Sequence, residues 1–96
     1  MLFALICTDR PGRLQTRLDT RPDHVAFLQD LGDALKAAGP FLGDDGKPNG
    51  SLVIISAENA ISAKIIADQD PYAKAGLFSS VEIKPWNWVF KNPEPA

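Results

Sequence analysis

The chain contains one histidine, His24, placed just after Arg21-Pro22-Asp23 where an arginine-dense stretch gives way to an apolar repeat. An imidazole can take and return a proton near neutral pH, so His24 is the first candidate for general acid–base work. The other reading is a half-buried ring satisfied by a neighbour, and both stay open on residue type alone. Thr20, with Asp23 three positions on and Pro22 between them, predicts a helix start at this point. The positive end of that helix's dipole would favour the neutral, proton-accepting ring.

All four arginines, Arg10, Arg13, Arg17 and Arg21, lie between positions 10 and 21, whereas the lysines are spread over the rest of the chain. Arg13, Arg17 and Arg21 are spaced by four, so any helical turn here stacks them on one face. A guanidinium fork holds a carboxylate or phosphate bidentately, which makes Arg10, Arg17 and Arg21 candidates for an anionic ligand. The alternative, favoured for most of them, is a solvated basic segment paired with Asp9, Asp19 and Asp23. One histidine with carboxylates, and no second nitrogen or sulfur ligand, is a poor zinc site, so neither metal nor cofactor is expected. Cys7 sits inside an apolar run and reads as a small core residue, not a nucleophile.

These residues need a scaffold, and 96 residues with 45% apolar and 23% charged side chains make one small globular domain. A net charge of −2 and a pI near 5.2 argue against a nucleic-acid or anionic-membrane partner. A lone cysteine fits a reducing compartment, and no targeting segment or membrane-length apolar run is visible, so a cytoplasmic location is expected.

Leu2 to Cys7 predicts a central strand, and Thr8 to Gly12 a turn. Asp23 to Ala38 predicts a helix whose core stripe is Leu28, Leu31 and Leu35, stopped by Gly39-Pro40. His24 precedes Leu28 by four, so its ring is expected to face the sheet. Phe41 to Gly43 is read as a short strand, residues 44 to 50 as a hairpin loop, and Ser51 to Ser56 as a strand. Ala57 to Gln69 predicts a second helix capped by Ser56. Asp70-Pro71-Tyr72 through Gly76 reads as a helical turn, with Asp70 the cap and Gly76 the terminator. Leu77 to Phe90 closes the chain as a strand region that Pro85 marks as an edge or a bend. The domain is placed at 1–91, with 92–96 an unstructured tail.

Strand, helix, strand, strand, helix, strand is the ferredoxin-like βαββαβ plan, an α+β fold with both helices on one face of a four-stranded antiparallel sheet. Its other face is apolar and bare in a monomer. Packing two such sheets face to face as a homodimer would cover it.

Thr8-Asp9-Arg10-Pro11-Gly12, Arg17, Arg21-Pro22-Asp23-His24, Ala38-Gly39-Pro40, Gly50-Ser51, Asp68-Gln69-Asp70-Pro71-Tyr72, Gly76 and Val81 to Trp86 together resemble the YciI-like (YCII-related) proteins. The resemblance implies a dimeric α/β-barrel of two ferredoxin-like subunits. It also implies a pocket containing a histidine and an aspartate, which here are His24 and Asp70. One branch of that family resembles a dehydrochlorinase acting on a chlorinated hydroxyquinol. If His24 and Asp70 meet, the carboxylate would fix the ring tautomer and support proton abstraction, with Arg10, Arg17 or Arg21 on the substrate's charge and Tyr72 offering a hydroxyl. The expected function is therefore a small lyase or isomerase for an aromatic or lactone-like compound. The competing reading is a non-catalytic ligand-binding or interaction module accessory to a larger enzyme.

Overall fold

The structure, a computed structural model, describes residues 1–94. Strand β1 (Leu2–Asp9) is followed by α1 (Leu14–Asp30), a short 3-10 turn (Gly32–Ala34), β2 (Leu35–Leu42), β3 (Pro48–Ser56), α2 (Ala60–Asp68), α3 (Pro71–Lys74) and β4 (Phe78–Trp86). The sheet order is β2-β3-β1-β4 and every pairing is antiparallel. This is the ferredoxin-like βαββαβ arrangement, with β1 central.

The alternation of β1 decides which face the helices cover. Phe3, Leu5 and Cys7 stand opposite Ile55, Val53 and Ser51 of β3. With Ala63 and Ala67 of α2, the apolar members of this set form the buried core. Leu2, Ala4 and Ile6 point to the other face, beside Ser56, Ile54 and Leu52.

The expected closure into a dimeric α/β-barrel is not what the structure shows. The sheet is open: β2 pairs with β3 alone and β4 with β1 alone, and nothing joins β2 to β4. A closed barrel needs two partners for every strand, with tilt and stagger to match. Both edge strands also carry proline, Pro40 opposite Ser51 and Pro85 opposite Phe3, and each lacks a ladder donor.

Several element boundaries differ from the sequence-based expectation. The first helix begins at Leu14, well before Thr20, and takes Pro22 into its interior on an exposed turn. It ends at Asp30, because Gly32 takes a left-handed φ of 57°, the conformation that closes helices and that residues with a Cβ rarely adopt. Leu35 to Ala38, expected to finish that helix, instead pair with Ile55 to Val53 as an edge strand. The second helix starts at Ala60, and its cap is Asn59, whose side chain accepts from the Ser62 N–H at 2.8 Å, not Ser56. The last strand stops at Trp86, short of Phe90. Residues 87 to 94 form no helix or strand, yet Glu94 pairs with Lys36 of β2 at 2.8 Å, so this segment reaches from one sheet edge to the other. Pro95 and Ala96 of the expected tail lie outside the described residues. No helix among the described residues is long and apolar enough to cross a membrane.

Candidate active site

Helix α1 presents a polar stripe to the sheet before an apolar one. Arg17, Arg21, His24, Leu28 and Leu31 fall at successive spacings of three and four, hence on one side of the helix. Arg17 and His24 are buried, 4% and 8% exposed, although the helix has few apolar residues in its first half. His24 lies past the helix midpoint. The dipole argument for a neutral ring therefore falls away, since that effect is confined to the first turn.

Asp70 is where its local sequence puts it. Its side chain caps α3 by accepting the Tyr72 N–H at 2.9 Å, and Pro71 occupies the first turn. Gly76, at φ 72°, and Leu77 close the helix in the Schellman manner, with Leu77 N–H donating to the Tyr72 carbonyl and Gly76 N–H to that of Ala73. The closure is tight enough to fix Tyr72 and Asp70 against the core; Leu77 is fully buried.

The same Asp70 oxygen meets His24 Nδ1 at 2.8 Å, with both side chains nearly out of solvent. Oδ1 already accepts the Tyr72 N–H, so it is an acceptor toward the ring as well, and Nδ1 carries the proton in the neutral imidazole. Among the described residues Nε2 has no hydrogen-bond partner, and no buried side-chain nitrogen or oxygen lacks one. Nε2 therefore opens onto the cavity that His24 lines.

That cavity, of about 250 Å³, lies between α1 and the β2–β3 half of the sheet. Arg17, Arg21, His24 and Leu28 form one wall, Ala38 and Pro40 of β2 with Ser51 and Val53 of β3 form another, and Tyr72 closes the end. Asp70 stands behind the ring on the core side, next to Cys7 and Ala67.

Three rings and forks stack inside this wall. The Tyr72 ring lies 3.9 Å from the His24 ring, tilted by only 16°. The Arg17 guanidinium lies on the Tyr72 ring at 4.6 Å from its centroid. Arg17 is itself clamped: Nε and Nη2 donate to the two Asp9 oxygens at 2.7 and 2.8 Å, and Nη2 donates to Ser51 Oγ at 2.9 Å. Burial works against the Arg17 charge, but the hydrogen bonds and charge of Asp9 outweigh it and hold the guanidinium firmly cationic. Burial also pushes the Tyr72 hydroxyl up, while the Arg17 and Arg21 charges oppose the rise. Burial, with the Asp70 charge adding to it, pushes the Cys7 thiol up to about 12, so Cys7 is an inert core thiol at neutral pH.

The structure thus brings His24, Asp70, Arg17, Arg21 and Tyr72 together. It does not bring Arg10, whose Nε donates to the Gly76 carbonyl at 3.2 Å and which borders a separate open depression between the β1–α1 and β2–β3 loops. Asp9 is expected from the sequence only as a partner of a solvated basic segment; the structure does pair it with Arg17, but buried beside the cavity and not in solvent. Ser51 carries no signal in the sequence that marks it as a site residue.

The chain is similar to known proteins over nearly its whole length. The model of the YCII-related domain matches residues 1–87. Protein YciI of Escherichia coli O6:H1 is 38% identical over 98 residues, covering 94% of this chain and 100% of that protein. An uncharacterized protein of Haemophilus influenzae is 39% identical with the same coverage. Among solved structures, 5-chloro-2-hydroxyhydroquinone dehydrochlorinase (TftG) from Burkholderia phenoliruptrix AC1100, in complex with 2,5-dihydroxybenzoquinone, superposes with a TM-score of 0.86 at 36% identity, covering 96% of this chain and 99% of that one. An antibiotic biosynthesis monooxygenase-type protein at 12% identity and a TM-score of 0.61 shares the fold alone. By the family model and by these near full-length relatives, the chain belongs to the YCII-related domain family.

Proposed function

We propose that this protein is a small-molecule enzyme in which His24 Nε2 removes a proton from a substrate seated between α1 and β2. The observation that carries the reading is the 2.8 Å contact between His24 Nδ1 and Asp70 Oδ1, behind a ring that faces a cavity. When Nε2 takes a proton, the new imidazolium gains a charge-assisted bond to the carboxylate, so the pair favours the state with the transferred proton. Asp70 orients the ring and offsets its charge, and His24 touches the substrate.

The likeness to the dehydrochlorinase supports a specific reaction, loss of HCl from a chlorinated polyhydroxybenzene. Nε2 takes one hydroxyl proton, that oxygen becomes a ring carbonyl, and the proton is returned at the carbon bearing chlorine. Removal of a second hydroxyl proton forms the second carbonyl as the C–Cl electron pair leaves with chloride. The net change is loss of HCl, with no oxidant or reductant consumed. Arg21 lines the cavity and takes part in none of the ion pairs among the described residues, so it is the cation assigned to the substrate's negative oxygen. The Tyr72 hydroxyl is the second polar contact. The apolar sheet face bearing Leu2, Ile6, Leu52 and the exposed Trp86 supports self-association of two copies, which sedimentation would register as a doubled mass.

The test is to incubate the protein with 5-chloro-2-hydroxyhydroquinone, follow halide release, and solve the complex with 2,5-dihydroxybenzoquinone. The reading requires halide release and a quinone oxygen within hydrogen-bond reach of Nε2. Quinone bound in the cavity without halide release from the chlorinated compound would instead mark a ligand-binding module.

A further inference from the structure

Arg17 has the type and location of a substrate clamp, yet three of its five N–H donors are engaged inside the protein. Nε and Nη2 are engaged by Asp9 and Ser51, and the guanidinium plane rests on Tyr72. The Tyr72 ring also carries the His24 ring, nearly parallel at 3.9 Å. The remaining edge of Tyr72 meets Phe78 at right angles, 6.0 Å between centroids. Tyr72 is 2% exposed, so it has no free side on which to rotate.

The geometry points to Arg17 as a positioning residue for His24: held by Asp9 and Ser51, the guanidinium fixes the Tyr72 ring, and that ring fixes the plane of the imidazole. The need for such a device follows from the bond pattern. Asp70 holds the ring at one atom, Nδ1, and a single hydrogen bond sets its rotation about the Cβ–Cγ bond only loosely. A flat contact removes that rotation, and a ring turned about Nδ1 would carry Nε2 off the line to the substrate. Lysine could not replace Arg17 here, because an ammonium supplies neither the fork for both Asp9 oxygens nor a plane to lay on tyrosine. The choice of Asp9 follows as well, since a buried guanidinium without a carboxylate would not be kept at this place.

This rests on the reading of His24 as the base, but it is tested separately from it. The chain has one histidine, so its ring signals in an NMR spectrum belong to one residue. In the wild-type protein the His24 carbon-bound ring protons are expected to be shifted upfield by the Tyr72 ring current, with the Nδ1–H tautomer dominant. The paired substitution Asp9→Asn with Arg17→Gln removes both charges together and leaves no unpaired buried ion; Arg17→Lys keeps the charge but not the plane. Both variants are expected to lose most of the upfield shift, and Arg17→Lys to lower kcat roughly tenfold or more at little cost in KM, as expected for a misplaced reacting group. Tyr72→Phe keeps the flat contact and should preserve the shift. Unchanged His24 shifts and tautomer in whichever of the two Arg17 variants folds would overturn the inference. Retained activity on replacing His24 would overturn the base reading alone and leave the spectroscopic result standing.

Discussion

Replacing Asp70 by asparagine isolates the charge of the dyad from its geometry. One oxygen, Oδ1, accepts both the His24 Nδ1–H at 2.8 Å and the Tyr72 N–H at 2.9 Å. An amide can satisfy the helix cap only with its oxygen at that position, and asparagine caps as well as aspartate. The cap therefore keeps the amide oxygen toward His24, and the imidazole keeps its proton on Nδ1. What is lost is the charge: a hydrogen bond to a charged group contributes about 1.5–3 kcal/mol, a neutral one about 0.5–1.5. The difference, roughly 1–2 kcal/mol, corresponds to a fall in kcat of about 5- to 30-fold. This is far milder than the ~10⁴-fold loss in the serine-protease case where the tautomer is reversed. Asp70→Ala removes cap and acceptor together and should cost about 2–4 kcal/mol of stability. The assay is halide release by both variants beside urea unfolding. A kcat for Asp70→Asn within about twofold of wild type would refute the charge argument, and a loss near 10⁴ would refute the claim that the cap sets the amide's orientation.

Three further outcomes follow from the same geometry. Arg21→Gln should raise KM roughly tenfold while leaving kcat nearly unchanged, because the cation holds the negative oxygen equally in the bound substrate and in the transition state; a kcat effect equal to the KM effect would contradict this. Cys7 is raised from 9.0 to about 12, so the folded state prefers the thiol. Its contribution to stability is complete below pH 9 and is lost as pH climbs toward 12; urea unfolding should show about 2 kcal/mol less stability at about pH 10.5 than at about pH 8, a slope that Cys7→Ala reduces. Gly50→Ala would bring a Cβ to 2.6 Å from the Cys7 carbonyl on the paired strand, and should destabilise the protein by about 1–3 kcal/mol in the same assay.

The order of elements and the dyad's second half were legible because local chemistry and tertiary contacts agree there. Asp70-Pro71 and Gly76 are a helix start and stop by their own backbone preferences, and the structure uses them so. The spacing of His24 from Leu28 was enough to turn the ring toward the sheet, as found. Thr20 and Pro22 carry start signals that point to a later beginning for α1, while its actual first turn carries none: Arg13 caps with no side-chain bond. Its polar inner stripe also hid the helix, since Arg17 is buried by pairing with Asp9, a contact between strand and helix that a periodic pattern does not reveal. Leu35 to Ala38 have helical composition, and pairing along β3 overrides it. Gly32 was the overlooked stop. The cavity depends on that strand, because Ala38 and Pro40 form its far wall.

The role of His24 is tested most directly by the halide released by His24→Gln compared with wild type under saturating 5-chloro-2-hydroxyhydroquinone. Glutamine keeps a donor for Asp70 but has no nitrogen that takes up a proton. The predicted result is a kcat lower by about 10²–10⁴, with 2,5-dihydroxybenzoquinone still bound in the cavity. Halide release at the wild-type rate from that variant would contradict it.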